Sequence, residues 1–244
     1  MKISSPPRRR TAGFTLVEAM MAGTIASLVM AGTMATFMFG FRTMYKDNQR
    51  LATNATLRYF IAQVSKETLD ATEFYVFPNY KSLDGNVDLV GDVSSLQADA
   101  FGTFLAYGDC LVLVTRVSAT TTANVRQIRI YYRVTTDSEE IAPVRYYEST
   151  NWGAAGTSTA LGTLINAINL SSNPTISGSR VIVNNARGRQ QTGGTTVYPI
   201  FSTESATTSP TNDSVSINVE VINGASVNNM LSSSSFNYTI SPRK

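Results

Sequence analysis

The strongest constraint in this sequence is a run of 28 residues, 14–41, that carries a single charge. It is entered through GFTLVE at positions 13–18, and the charge is Glu18. At about 1.5 Å per residue, a helix of that length reaches about 42 Å, more than the roughly 30 Å hydrocarbon core of a bilayer. No proline occurs between Pro7 and Pro78, so such a helix can continue beyond the run. A carboxylate inside a spanning segment costs about 2.5–3.5 kcal/mol on insertion scales. Glu18 therefore demands a partner that offsets this cost.

The flanks give the run a direction. Lys2, Arg8, Arg9 and Arg10 precede it, and Arg42 and Lys46 close it. Clustered arginines stay on the cytoplasmic side, which places the rest of the chain on the outer side. Beyond the leader, 16 basic residues face 17 acidic ones, so the body is nearly neutral and gives no electrostatic case for nucleic acid. The sequence has no histidine and one cysteine. Histidine-dependent triads, cysteine–histidine pairs and the common zinc sites are excluded, which argues against an enzyme. Cys110, in DCLVLV, reads as a small core side chain. A secretory signal is the competing account of the N-terminus, with a small-x-small site near 33–35. Its apolar core would be 7–15 residues long, and Glu18 would be out of place in it.

Basic leader, Gly13, Phe14, Thr-Leu-Val, Glu18 and apolar helix stand in a fixed register over residues 8–41. This resembles the class III signal of type IV pilins and type II secretion pseudopilins. The resemblance implies that a prepilin peptidase cuts between Gly13 and Phe14, N-methylates Phe14 and removes the leader. It also implies that Glu18 pairs with the N-terminal amine of a neighbouring subunit. Opposite charges a few Å apart in a poorly polarisable medium attract strongly, and such a pair would set the stagger between helices. Alternatively, Glu18 snorkels alone to the head groups. Ala19, Gly23, Ser27, Ala31 and Ala35 recur every four residues as a small-residue stripe of the kind that lets helices approach closely in lipid. The partners implied are the prepilin peptidase/N-methyltransferase, other pilins or pseudopilins, an inner-membrane assembly platform and the bilayer. No cofactor is implied.

The remainder predicts an α+β fold: a long N-terminal helix packed on an antiparallel head. The expected divisions are a leader (1–13), a membrane and polymerisation helix (14–41), an amphipathic helix (42–74) and a β-rich periplasmic head (75–244). Leu57, Ile61, Val64 and Ala71 follow three-four spacing and should lie on a sheet. QIRIYYRV (127–134) and SVSINVEV (214–221) alternate as half-buried strands. EFYVF, CLVLVTRV, PVRYYE, RVIV, VYPIF and FNYTI are further candidates, with turn-rich stretches at 151–159 and 186–196. Strand order and size are similar to the J-type minor pseudopilins and W-type minor pilins.

Three local features each have two readings. Asp84, Asn86, Asp88 and Asp92 alternate as calcium ligands do, but Leu89 stands where an EF-hand loop needs glycine, and a hairpin with an Asp-Gly turn is the plainer account. Arg126, Arg129 and Arg133 with Tyr131 suggest either a DNA-binding face or a solvated strand face paired with acidic neighbours. Trp152 either meets a partner or caps the core. The function expected is that of a structural subunit of a pilus-like filament, a minor pseudopilin of type II secretion. A minor type IV pilin for adhesion, motility or DNA uptake is the alternative within that class. A membrane-anchored periplasmic module that never polymerises is the alternative outside it.

Overall fold

The computed structural model describes residues 13, 15–83, 97–98, 104–118, 120, 122–137, 140–190, 197–205, 214–224 and 230–240. The chain divides into two compact units, Met1–Asn48 and Gln49–Lys244. One helix, α1 (Leu16–Asp70), begins in the first and ends in the second. The expected α+β architecture is present: one long N-terminal helix and a large antiparallel sheet.

Within the first unit every described side chain is exposed, from Leu16 at 79 % to Leu28 at 74 % and Phe37 at 67 %. Within the second, α1 is amphipathic. Thr53, Leu57, Phe60, Ile61, Val64 and Thr68 are buried at three-four spacing. Leu57, Phe60, Ile61 and Val64 share a core with Phe74, Leu111, Leu113 and Val219 of the sheet. Burying each such side chain stabilises the head by about 1.5–3 kcal/mol relative to leaving it in water. The helix stops at Asp70 because the chain is captured by the sheet. Thr72 donates its N–H and hydroxyl to the Val114 carbonyl (2.8 and 2.9 Å), and its Oγ1 accepts from the Arg116 N–H (3.0 Å).

The strands are β1 (Glu73–Phe77), β2 (Gln97–Ala98), β3 (Phe104–Gly108), β4 (Cys110–Arg116), β5 (Val125–Arg133), β6 (Ala142–Glu148), β7 (Arg180–Gln190), β8 (Val197–Tyr198), β9 (Phe201–Ser205), β10 (Ser214–Gly224) and β11 (Met230–Ile240). The described sheet runs β1-β4-β5-β6-β7-β10-β9-β3-β2, with β11 on β10 and β8 on β7. It forks at β10: Val219–Val221 pair with β7, and Ser214–Ile217 pair with β9. The two branches meet again where β3 ends beside β1, so the sheet is nearly closed. A Cβ on Gly108 would lie 1.8 Å from the Phe77 carbonyl oxygen, which only glycine avoids.

Two cores flank the sheet. Alternate residues of β4 point to opposite faces: Leu111 and Leu113 to the α1 side, and Cys110, Val112 and Val114 to the other. The second face is covered by a segment holding α2 (Leu161–Ile168), whose Ile165 is buried with nearby Leu170. β10 alternates as expected, with Val215, Ile217, Val219 and Val221 buried and Ser216, Asn218 and Glu220 partly exposed, but the covering segment corrects the half-buried reading of 127–134. In β5 both faces are buried, with Tyr131 on one side and Ile128, Ile130 and Tyr132 on the other. The turn-rich reading of 186–196 is also corrected in its first part. Residues through Gln190 belong to β7, where Ala186–Gly188 pair with β10 and Arg189 and Gln190 with β8.

Candidate functional site

The candidate assembly site lies at the start of α1. Thr15 precedes the first helical residue, and Glu18 is the third residue of the helix. Glu18 Oε2 accepts the Thr15 N–H and the Thr15 hydroxyl, both at 3.0 Å, and the Glu18 N–H donates to Thr15 Oγ1 at 3.3 Å. This is a reciprocal capping box, in which the carboxylate satisfies a backbone donor that the helix leaves orphaned. The signal, T-x-x-E, was visible in the sequence but hidden by the demand for an external partner. The box engages one oxygen: Oε1 has no hydrogen-bond partner among the described residues. The arrangement can therefore hold the helix end and present an anionic oxygen outward at once. Gly13 is described and exposed; Phe14, Arg8, Arg9 and Arg10 lie outside the described residues.

Ala19, Gly23, Ser27, Ala31 and Ala35 are all exposed on α1. A four-residue step advances about 40° around a helix of 3.6 residues per turn, so the stripe winds as a shallow ridge. Among the described residues nothing lies within 4 Å of a Cβ placed on Gly23, Gly32 or Gly40. The hydroxyls along this stretch turn back onto the helix. Ser27 donates to the Gly23 and Thr24 carbonyls (2.7 and 3.0 Å), and Thr24, Thr33 and Thr36 donate to Met21, Met30 and Gly32 (2.8–2.9 Å). With those donors satisfied, the surface is suited to an apolar environment. The helix is long and apolar enough to cross a membrane, and none of its most apolar window is buried by the chain.

Of the ion pairs and charged networks among the described residues of the head, two join distant segments most extensively. Glu67 of α1 accepts from Tyr131 (2.6 Å), Tyr146 (3.1 Å) and Gln63 Nε2 (3.1 Å), latching the helix onto β5 and β6. Burial, then the neighbouring Glu67 charge, pushes both tyrosine hydroxyls well above the usual range. The second is Arg133, whose side chain is 0 % exposed. It pairs with Asp109 at 2.7 Å and donates to the carbonyls of Asp137 (2.7 Å) and Glu140. Asp109 Oδ1 in turn accepts the Ile200 N–H at 2.9 Å. One buried ion pair thus ties together the β3–β4 corner, the end of β5 and the approach to β9.

These placements divide the basic face expected on β5. Arg129 pairs with Glu148 (3.3 Å) and Arg133 with Asp109, so both meet acidic partners; Arg126 is exposed, Arg129 is partly so and Arg133 is fully buried. Sequence reasoning missed Asp109 and Glu67, because partners 24 and 64 residues away leave no local pattern. Trp152 packs partly against the second core and donates its backbone N–H to the Arg126 carbonyl (3.0 Å). Cys110 is buried, and burial pushes its thiol up and away from reactivity. The calcium candidates Asp84, Asn86 and Asp88 lie outside the described residues. Comparison with known proteins returned no matching family model, curated protein or solved structure.

Proposed function

We propose that this chain is a structural subunit of a pilus-like filament, processed between Gly13 and Phe14 and anchored beforehand by α1 in the bacterial inner membrane, with its head in the periplasm. The observation that carries this reading is an apolar helix that no described residue covers, headed by one carboxylate whose Oε1 has no hydrogen-bond partner among the described residues. Bare apolar surface must be covered by lipid, by other helices or by each in turn. A filament subunit needs both: lipid in storage, and neighbouring helices after assembly. The small ridge from Ala19 to Ala35 suits the second state, and Glu18 Oε1 suits a cation supplied by a neighbour. The work is assembly rather than catalysis.

The finer assignment, a minor pseudopilin of type II secretion rather than a minor type IV pilin, rests on the resemblance of the head's strand order and size to the J-type subunits. The capping box sharpens the test of Glu18. Glutamine serves at that position of a capping box, so Glu18→Gln keeps the helix end and removes only the charge. We expect Glu18→Gln to insert and fold normally but to drop out of filaments in the native host, scored by the fraction co-sedimenting with sheared fibres. Normal incorporation of Glu18→Gln would overturn the pairing role. Loss on Thr15→Val with retention of Glu18→Gln would assign the residue to capping alone.

A further inference from the structure

The cover on the second face of the sheet is tied down unevenly. Its first part runs beside β5: Trp152 donates its N–H to the Arg126 carbonyl (3.0 Å), and Thr157 exchanges two backbone hydrogen bonds with Val125 (2.8 and 3.0 Å). That single bridge is the last ladder contact before β7 starts at Arg180. In between, residues 158–178 carry α2 and pair with no strand among the described residues. They place two fully buried side chains in the second core, Ile165 and Leu170, whereas Leu161, Leu164, Ile168 and Ile176 are half-buried. That core also holds Cys110, Val112, Val114, Ile128 and Ile130 of β4 and β5, none of them exposed to solvent.

α2 does not stand by itself. It has eight uncharged residues, and Ala160 at its N-cap supplies no side-chain hydrogen bond. A helix that short and uncapped is unstable in water, so α2 owes its form to the surface beneath it. Glycines with left-handed backbone stand at both ends of the segment: Gly156 (φ +63°) where it leaves β5, and Gly178 (φ +86°) where it enters β7. Such positions change φ and ψ at little steric cost. Polar latches hold the far end: the Tyr132 hydroxyl donates to the Pro174 carbonyl at 2.6 Å, and Arg145 donates to the Ser179 carbonyl at 3.0 Å. We propose that residues 158–178 form a strap that opens as one unit while the sheet stays folded, pivoting at Gly156 and Gly178 and releasing the Tyr132 hydroxyl, so that an apolar trough on β4 and β5 is uncovered. Few buried anchors and no strand pairing place a segment at the low end of a fold's stability range. The opposite face differs: α1 sets Leu57, Phe60, Ile61 and Val64 into the core and is latched by Glu67, so it leaves only when the head unfolds. The strap belongs to the head and stands independently of the filament reading.

The test is native-state hydrogen exchange of the full-length chain in detergent micelles, followed by mass spectrometry on strap and β5 peptides over a series of sub-denaturing urea concentrations. Strap amides should exchange at least tenfold faster than β5 amides, with a urea dependence that is measurable but smaller, because a partial opening exposes less surface. Two neighbouring tyrosines of β5 then separate strap opening from unfolding of the head. Tyr132→Phe removes the Pro174 latch and should speed strap exchange about three- to tenfold. Tyr131→Phe removes a bond to Glu67 on the other face, which stays made when the strap opens. It should speed β5 exchange about tenfold and leave the strap unchanged. The proposal is overturned if strap and β5 amides share one rate and one urea dependence, or if strap exchange is independent of urea, as fraying would make it. It is also overturned if Tyr131→Phe speeds the strap as much as β5, or if Tyr132→Phe leaves the strap unchanged.

Discussion

The two parts of α1 share a backbone and a helical period but face different surroundings. In residues 53–70 the stripe Leu57, Phe60, Ile61 and Val64 is covered by the chain's own sheet, and the opposite side carries polar residues such as Arg58, Lys66 and Asp70. In residues 16–41 apolar side chains point in every direction, and among the described residues none covers them. The first pattern is explained by contacts within the head, whereas the second finds no cover among the described residues. Thus the same structural element is a core component at one end and an exposed apolar surface at the other.

Matched truncations should break or sharpen that contrast. Phe60→Ala removes a ring that is 0 % exposed and should cost the head about 3–5 kcal/mol in chemical denaturation, whereas Phe37→Ala should change head stability by less than about 0.5 kcal/mol. Equal effects would dissolve the distinction. Asp109→Ala should cost a similar amount, about 3–5 kcal/mol, because it strands the Arg133 charge in the core. Replacing both partners with apolar residues should recover much of that loss, which would show that the penalty comes from the unpaired charge. Tyr131→Phe should cost about 1.5 kcal/mol by removing one bond to Glu67.

The same tyrosines set a pH dependence confined to the head. Their hydroxyls keep the proton in the folded state above the ordinary value of 10.0, while the unfolded chain releases it near that value. Stability from this source is therefore full below about pH 10 and falls as pH rises further. Tyr131→Phe should flatten the alkaline slope of the denaturation midpoint. The smallest effect expected is at the other end of α1: Thr15→Val should fray the first turn, visible as a slight loss of helicity by circular dichroism, with head stability unchanged.

How much was legible follows from how local each cause is. The helix expected over 14–74 runs Leu16–Asp70, because its signals (apolar run, three-four spacing, absence of proline) lie within a few turns. The strands 110–116, 125–133 and 214–224 were readable from continuous or alternating apolar residues. β3 and α2 were not anticipated. LGTLINAI is a short apolar stretch among turn-rich neighbours, and its burial depends on a distant face of the sheet rather than on any local period. The Arg133–Asp109 pair, the fork at β10 and the Glu67 latch arise from contacts between distant segments, which no sequence period encodes. The capping box is different: T-x-x-E is a local signal, and a sharper reading of 15–18 would have found it.

The central claim is that the bare half of α1 is a processed, assembling helix. The mass of the N-terminal peptide, taken from the protein in membranes of its native host, tests this most directly. A mature chain beginning at N-methylated Phe14 is the result the account predicts. An intact Met1, or a chain beginning near residue 36, would contradict it.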